Sequence, residues 1–328
     1  MQSTISPSKT KFKNAVQFLG KKEDRYFAYG FKKIICNLDN FNYSLNKLTS
    51  LLHVKWGDCW SIKDTCEVKP HLGSIEGFTV ASRMIETFIA IKYDMCEDDI
   101  SNSKIKKVNI KTKLCSSDFN SLFSVCLVEK DAKIDRIVKS SSEFEITVGN
   151  FQFNIWLEFV VRSSTSGISF NNFATTTISS MNNYYYEGYK LSNIDIKNIL
   201  IKNEGKTLTA TPEIKRSSDK LYGLATNLLP ELTFVDFLRI GGQLAQILLY
   251  SFDGLKRENT QNLWIRSLCA EFNEQNLKHD EISKVNLADV KKVALNNETW
   301  RTAIINLEIG SIQATAKVGH ILKNNINE

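Results

Sequence analysis

Pro70-His71-Leu72-Gly73-Ser74-Ile75-Glu76 opens one apolar run in this chain, and about half a chain length later Pro230-Glu231-Leu232-Thr233-Phe234-Val235-Asp236 opens another. Superposing the two prolines also superposes Leu72 on Leu232, Ile75 on Val235, Glu76 on Asp236, Val80 on Ile240, Arg83 on Gln243 and Glu86 on Gln246. A second pair of landmarks follows at nearly the same offset. Val148-Gly149-Asn150-Phe151-Gln152 resembles Ile309-Gly310-Ser311-Ile312-Gln313, and each leads into a strand-like run. Matched landmarks in matched order predict duplication of a whole domain, since a period this long is not that of a solenoid.

A chain of 328 residues holds one large domain or two of roughly 160 residues, and either size buries a core. Duplication favours two, with residues 1–162 as the first repeat, 163–188 as a linker rich in Ser, Thr and Asn, and 189–328 as the second repeat. The linker ends in Tyr184-Tyr185-Tyr186, expected to pack on the sheet. No apolar run approaches the roughly 20 residues that cross a bilayer, and the polar start Met1-Gln2-Ser3-Thr4-Ile5-Ser6-Pro7 lacks the apolar stretch of a secretory signal. Seven scattered cysteines without a C-x-x-C pair read as reduced, mostly buried thiols of a cytoplasmic protein. The net charge of +6 is spread along the chain without a nucleic-acid recognition motif. Its densest basic stretch, Lys104 to Lys113, alternates with Ile105, Val108 and Ile110 as a strand with one wet face.

The chain alternates between two periods. Ile75, Phe78, Ala81, Ile85 and Phe88 recur at helical spacing from Ser74 to about Tyr93, and a second apolar helix is expected from Leu232 to Phe252. Strand patterns surround both, at Arg25–Tyr43 as a strand pair and turn with a glycine at Gly30, at Leu51–Trp60, Ile105–Leu114, Leu122–Val128, Phe144–Val148 and Phe151–Val161, then at Ile196–Ile201, Thr207–Thr211, Leu263–Phe272, Val290–Leu295, Trp300–Leu307 and Ser311–Leu322. Gly241 and Gly242 lie inside the second helix, where each costs about 1 kcal/mol relative to alanine, which points to a close approach of sheet backbone. The expected class is α+β: one long central helix wrapped by a curved antiparallel sheet, occurring twice, which is the double hot-dog arrangement.

The chain contains no phosphate-binding G-x-x-x-x-G-K-[ST], no G-x-G-x-x-G, no H-E-x-x-H and no G-x-S-x-G, and its four histidines include no pair at metal-ligand spacing. Neither a cofactor nor a metal is expected. What remains is a polar set at the helix starts, where backbone N–H groups favour anions. His71 precedes the first helix. Asp236, Arg239 and Gln243 share one face of the second, and Glu76 and Arg83 line the first. Capping explains Glu76 and Asp236 as well as catalysis does, and His71 reads equally as structural or catalytic.

Arg25-Tyr26-Phe27-Ala28-Tyr29-Gly30-Phe31-Lys32, Trp60-Ser61, Pro70-His71-Leu72-Gly73-Ser74-Ile75-Glu76 and Leu232-Thr233-Phe234-Val235-Asp236, in this order, resemble the bacterial avirulence D (AvrD) family over most of the chain. The family's helix-start pattern is P-H-L-S-[ST]-I-D, so Gly73 and Glu76 depart from it. The resemblance implies synthesis of syringolide-type acyl-sugar signals, in which a 3-oxoacyl thioester on acyl carrier protein or coenzyme A is joined to a ketose such as xylulose or its phosphate. More distant similarity is to the AfsA proteins and to double hot-dog dehydratases, which set a histidine of one repeat opposite an aspartate of the other. The matching positions are His71 and Asp236, with Glu76 as a third catalytic candidate and Arg83, Arg239, Gln243 and Trp60 as substrate-binding candidates. The dehydratase pattern H-x-x-x-G-x-x-x-x-P is absent after His71, which disfavours a simple dehydratase. A hot-dog dehydratase or thioesterase on acyl carriers and a non-catalytic acyl-binding regulator are the alternatives, and a homodimer is a further expectation.

Overall fold

The computed structural model describes residues 9–63, 66–113, 121–135, 139–161, 182–216, 221–228, 232–260, 262–273, 282–295 and 297–322. Pro230 and Glu231, most of the expected linker, Cys115 and His279 lie outside the described residues.

The helices are α1 (Val16–Leu19), α2 (Ser74–Tyr93), α3 (Glu97–Ser101) and α4 (Phe234–Phe252). The two long ones follow the predicted periodicity closely, because their apolar faces are continuous and an acid stands three residues after each cap. Glu76 accepts the N–H of the cap residue Gly73 at 3.2 Å. Asp236 accepts that of Thr233 at 3.3 Å, while the Thr233 hydroxyl accepts the Asp236 N–H at 3.2 Å. On α4 the cap thus satisfies the Asp236 N–H of the first turn, whereas on α2, where the cap residue is a glycine without a side chain, only the N–H of Gly73 itself is satisfied.

The first half supplies strands β1 (Thr10–Asn14), β2 (Ile35–Ser44), β3 (Lys47–Lys55), a small β4 (Ile62–Lys63) and β5 (Cys66–Glu67) hairpin, β6 (Lys104–Thr112), β7 (Leu122–Lys133), β8 (Ser140–Val148) and β9 (Phe151–Phe159). The second supplies β10 (Ser192–Lys202), β11 (Thr207–Arg216), β12 (Trp264–Phe272), β13 (Ser283–Leu295), β14 (Glu298–Ile309) and β15 (Ile312–Leu322). Among the described residues, thirteen of them form one sheet in the order β1-β10-β11-β13-β14-β15-β12-β6-β9-β8-β7-β3-β2, with every named pairing antiparallel. Read outward from the β6–β12 seam, the two halves have the same order. With β1, which pairs with β10 of the other half, and the β4–β5 hairpin set aside, each also has two strands before its long helix and four after it. The strand order thus repeats about the β6–β12 seam.

Particular contacts repeat with it. Gly149 and Gly310 both adopt φ of 54° at the first position of the two-residue turns joining β8 to β9 and β14 to β15, a conformation that favours glycine. A Cβ on Gly149 would stand 3.1 Å from Leu72, and one on Gly310 would stand 3.2 Å from Leu232, so each turn seats the leucine that precedes its helix. Asn40 in β2 and Asn198 in β10, both with positive φ, mark equivalent bulges.

A third repeat was not read from sequence. Arg25-Tyr26-Phe27-Ala28-Tyr29-Gly30-Phe31-Lys32 and Asn183-Tyr184-Tyr185-Tyr186-Glu187-Gly188-Tyr189-Lys190 close the same turn. Gly30 N–H donates to Arg25 O and Phe31 N–H to Tyr26 O, as Gly188 N–H does to Asn183 O and Tyr189 N–H to Tyr184 O. Residues 25–33 were expected to begin a strand; they form this turn and a 3₁₀ segment, because their hydrogen bonds close locally. Of the three tyrosines expected to pack on the sheet, Tyr186 donates to Asn37 of β2 at 3.3 Å, while the Tyr184 hydroxyl meets the Thr233 hydroxyl at 2.6 Å, at the start of α4.

Alternation buries one face of each strand. Phe144, Ile146 and Val148 of β8 and Phe153, Ile155 and Leu157 of β9 point into a single core around the helices. Helix α2 meets β2, β3, β7, β8 and β9. Five neighbouring strands span about 19 Å, yet all reach one helix about 10 Å across, so the sheet curves around it. The glycines of α4 accommodate side chains, and not the sheet backbone expected. A Cβ on Gly242 would stand 2.6 Å from the Phe27 ring, and one on Gly241 would stand 3.0 Å from Leu307. The cysteines also depart from expectation: Cys36 is buried, whereas Cys59, Cys66, Cys96 and Cys269 are exposed free thiols. Among the described residues, no helix is long and apolar enough to cross a membrane.

Candidate functional site

A cavity of about 420 Å³ opens between the start of α2 and the middle of α4. Tyr26, Trp60, His71, Gly73 and Ser74 line it from the first repeat, and Phe237, Gly241, Gly242 and Trp264 from the second. The volume and the aromatic, mostly apolar wall suit a small-molecule site with a few placed polar groups.

His71 sits between two indoles, its ring centroid 5.0 Å from Trp60 and 4.8 Å from Trp264. Its Nδ1 lies 3.2 Å from Lys69 O. A carbonyl can only accept, so in this hydrogen bond Nδ1 carries the proton and Nε2 is left with its lone pair. Burial lowers the pKa of the ring, opposed by the Lys69 hydrogen bond, which keeps the imidazole neutral at pH 7 and able to take a proton.

Behind the wall lies Glu76, fully buried. Oε2 accepts from the Tyr26 hydroxyl at 2.5 Å and from Gly73 N–H, while Oε1 has no partner. Among the described residues no lysine or arginine pairs with it. Burial is the largest influence on its pKa and raises it to about 7, with the Tyr26 hydrogen bond opposing. Tyr26 also feels the Ile75 N–H of the first turn of α2, and burial followed by the Glu76 charge pushes its pKa well above 10.0.

Arg25, Lys63, Lys113, Arg257 and Arg266 also line the cavity, and two of them are buried. Arg25 Nη1 donates to Gln243 Oε1 at 3.0 Å, and Arg257 donates to Ile62 O, Asp24 O and the Ser61 hydroxyl. Both guanidiniums are buried, and neither forms an ion pair among the described residues. Burial and then the charge of Arg257 bring the Arg25 pKa down to about 10.

The sequence-derived residues divide accordingly. His71 and Trp60 line the cavity. Glu76 and Gln243 stand one step behind, touching the lining residues Tyr26 and Arg25. Asp236, Arg83 and Arg239 do not line it. Asp236 is enclosed by the Thr233 cap and by the guanidiniums of Arg216 and Arg239. Arg239 donates to Ser192 and covers the Phe31 ring at 4.5 Å, and Arg83 donates to Cys36 O at 2.7 Å beneath the Tyr186 ring. Tyr26, Arg25 and Arg257 were missed as site residues. The repeated aromatic turn was the signal that could have found the first two; Arg257 reaches the cavity from far along the chain with no local pattern. Among the described residues, no three of His, Cys, Asp and Glu gather as a metal site.

The sequence pattern of the Pseudomonas avirulence D protein (AvrD) family matches residues 10–323. The chain belongs to the AvrD family. No curated protein matches this AvrD-family chain. Among solved structures it is similar to an acyl-CoA thioesterase II, TesB2, from Mycobacterium marinum, with 9% identity and a TM-score of 0.35 over 89% of this chain and 97% of that one. A dehydratase domain from the CurJ module of curacin polyketide synthase has 10% identity and a TM-score of 0.35 over 87% and 96% of the two chains. An acyl-ACP thioesterase from Bacteroides thetaiotaomicron has 11% identity and a TM-score of 0.35 over 77% and 90%.

Proposed function

We propose that this AvrD-family chain is an enzyme that joins a 3-oxoacyl thioester, carried on acyl carrier protein or coenzyme A, to a hydroxyl of a ketose such as xylulose, giving a syringolide-type acyl sugar. The observation that carries the reading is His71, whose bare Nε2 stands in an aromatic cavity beside the start of α2. Nε2 takes the proton of the sugar hydroxyl as that oxygen attacks the thioester carbon. The C–S bond then breaks, and His71 returns the proton to the leaving thiolate. Charge on the carbonyl oxygen builds beside the N–H groups of α2, where it is stabilised. The apolar wall holds the acyl chain against Trp60, and Arg25, positioned by Gln243, offers its guanidinium to the sugar or to the carrier's phosphates. To Asp236, Arg83 and Arg239 we assign the fixing of the helices.

The fold behind this reading is a double hot-dog, supported by the repeated topology, with residues 1–162 and 189–328 as repeats and 163–188 as linker. The Tyr184 turn, equivalent to the Tyr26 turn, groups the end of that linker with the second repeat. The working state is a cytoplasmic enzyme, with a homodimer as its assembly.

Incubation with a 3-oxoacyl coenzyme A and xylulose, with products identified by mass spectrometry, tests the reaction. Acyl ester formed by the wild-type chain and reduced on the order of 10²–10⁴-fold in His71→Ala is the expected result. Free acid formed at the same rate without xylulose would make the protein a thioesterase, and a 2-enoyl product from a 3-hydroxyacyl substrate would make it a dehydratase.

A further inference from the structure

The two repeats place the same groups at their helix starts and finish them differently. In the second, the Tyr184 hydroxyl meets the Thr233 hydroxyl, which donates to Asp236 at 2.8 Å, and two guanidiniums hold that carboxylate. In the first, glycine stands where the threonine would be. A Cβ on Gly73 would lie 2.0 Å from the Tyr26 hydroxyl oxygen. Removing that carbon lets Tyr26 reach its carboxylate directly, and no cation neutralises Glu76. Tyr26, Gly73 and Ser74 all line the cavity, so the phenol stands at its wall beside the first turn of α2 with a buried carboxyl behind it.

We propose that Tyr26 is a catalytic residue that donates a hydrogen bond to the substrate carbonyl oxygen, and that Glu76 positions the proton for it. This rests on the acyl-transfer reading above. With Glu76 ionised, the Tyr26 proton is drawn back to Oε2. With Glu76 protonated, the carboxyl donates to the phenol oxygen, and the Tyr26 proton turns into the cavity. Tyr26 then adds a donor beside the backbone N–H groups of α2 as the oxyanion forms. No proton is consumed in this step, since His71 carries the one that moves from hydroxyl to thiol.

The groups facing the pair are few. Tyr26 and Ile75 N–H touch it, Gly73 N–H caps it, and the Lys190 charge favours the ionised Glu76. Cys36, from β2, and Tyr189 feel the Glu76 charge, and each stays neutral because burial raises its pKa, that of Cys36 to about 12. At the cavity wall stand His71, Arg25 and Arg257, with Lys63, Lys113, Arg266 and Glu298 also lining it. Titration of Glu76 to about 7 therefore places an alkaline limb on the rate, distinct from the acidic limb of His71.

Thiol release from a 3-oxoacyl coenzyme A in the presence of xylulose, followed across pH, tests the assignment. Tyr26→Phe is expected to lower kcat on the order of 10²–10³-fold. Glu76→Gln, which keeps a donor behind the phenol and cannot ionise, is expected to lose the alkaline limb. Near-normal kcat in Tyr26→Phe, or an alkaline limb unchanged in Glu76→Gln, overturns the proposal. If Tyr26→Phe fails to fold, the pH profile of Glu76→Gln decides. An infrared titration of the free protein separates the two readings. A carboxyl band lost through about pH 7 together with a shift of a tyrosine band, both absent in Glu76→Gln, supports the pairing even if the wild-type chain does not turn over this substrate. A carboxyl titration that leaves every tyrosine band in place overturns it.

Discussion

Glu76 and Asp236 occupy the same step of the repeat and end in opposite electrostatic states. Asp236 has two guanidiniums and a hydroxyl; Glu76 has a phenol and one N–H. Folding raises the Glu76 pKa from 4.5 to about 7, so between those values the folded chain holds a proton that the unfolded chain has lost. Stability therefore falls as pH rises through this window, by roughly 3 kcal/mol once complete. Glu76→Gln should remove that dependence, so that urea melts of the variant and the wild type agree better at pH 5 than at pH 8, with the variant the more stable at pH 8. At Asp236 the neutral substitution is expected to destabilise instead. Asp236→Asn leaves Arg216 and Arg239 facing a neutral group in a buried site, and equilibrium unfolding should show a loss of roughly 3–5 kcal/mol at pH 7. Which carboxylate carries a cation was not legible in sequence, because Arg216 comes from β11 and only the fold brings it to the helix start.

Helix α4 is the element on which the repeats meet. Gly242 receives the Phe27 ring from the first repeat and Gly241 the side chain of Leu307 from β14. Gly242→Leu should overpack this contact at a cost of roughly 1–3 kcal/mol, read as a lower melting temperature. Phe27→Ala in the same chain should recover part of the loss, since contacting sites couple. Additive effects of the two substitutions would mean that ring and helix do not touch. Both long helices were legible because an apolar face of period 3.6 survives any tertiary context. The strands were legible from alternation, with ends that moved by a few residues. The 25–33 segment was misread, since its aromatic composition fits a strand while its hydrogen bonds, Gly30 N–H to Arg25 O among them, close a turn that leaves no periodic trace.

At the scale of the whole molecule the repeats behave as one body. Their sheets join through the β6–β12 ladder, β1 pairs with β10 across the halves, and Phe78 of α2 packs on Phe234 of α4 at 4.6 Å. One core spans both halves, so thermal unfolding should be a single transition, coincident by near- and far-ultraviolet circular dichroism. Two resolved transitions would mean that each repeat folds alone. The sequence by itself determined the matched helix starts, the two helices, most strands, and the place of His71 in the motif that opens the first helix and of Trp60 upstream of it. These follow from local periodicity and from residues close together in the chain. Only the tertiary structure decided that Tyr26 rests on Glu76, that Arg257 reaches the same cavity as Arg25, and that Asp236 meets the Arg216 guanidinium. Each of those joins positions far apart in sequence, and whether a buried charge finds its counter-charge depends on packing that no local pattern encodes.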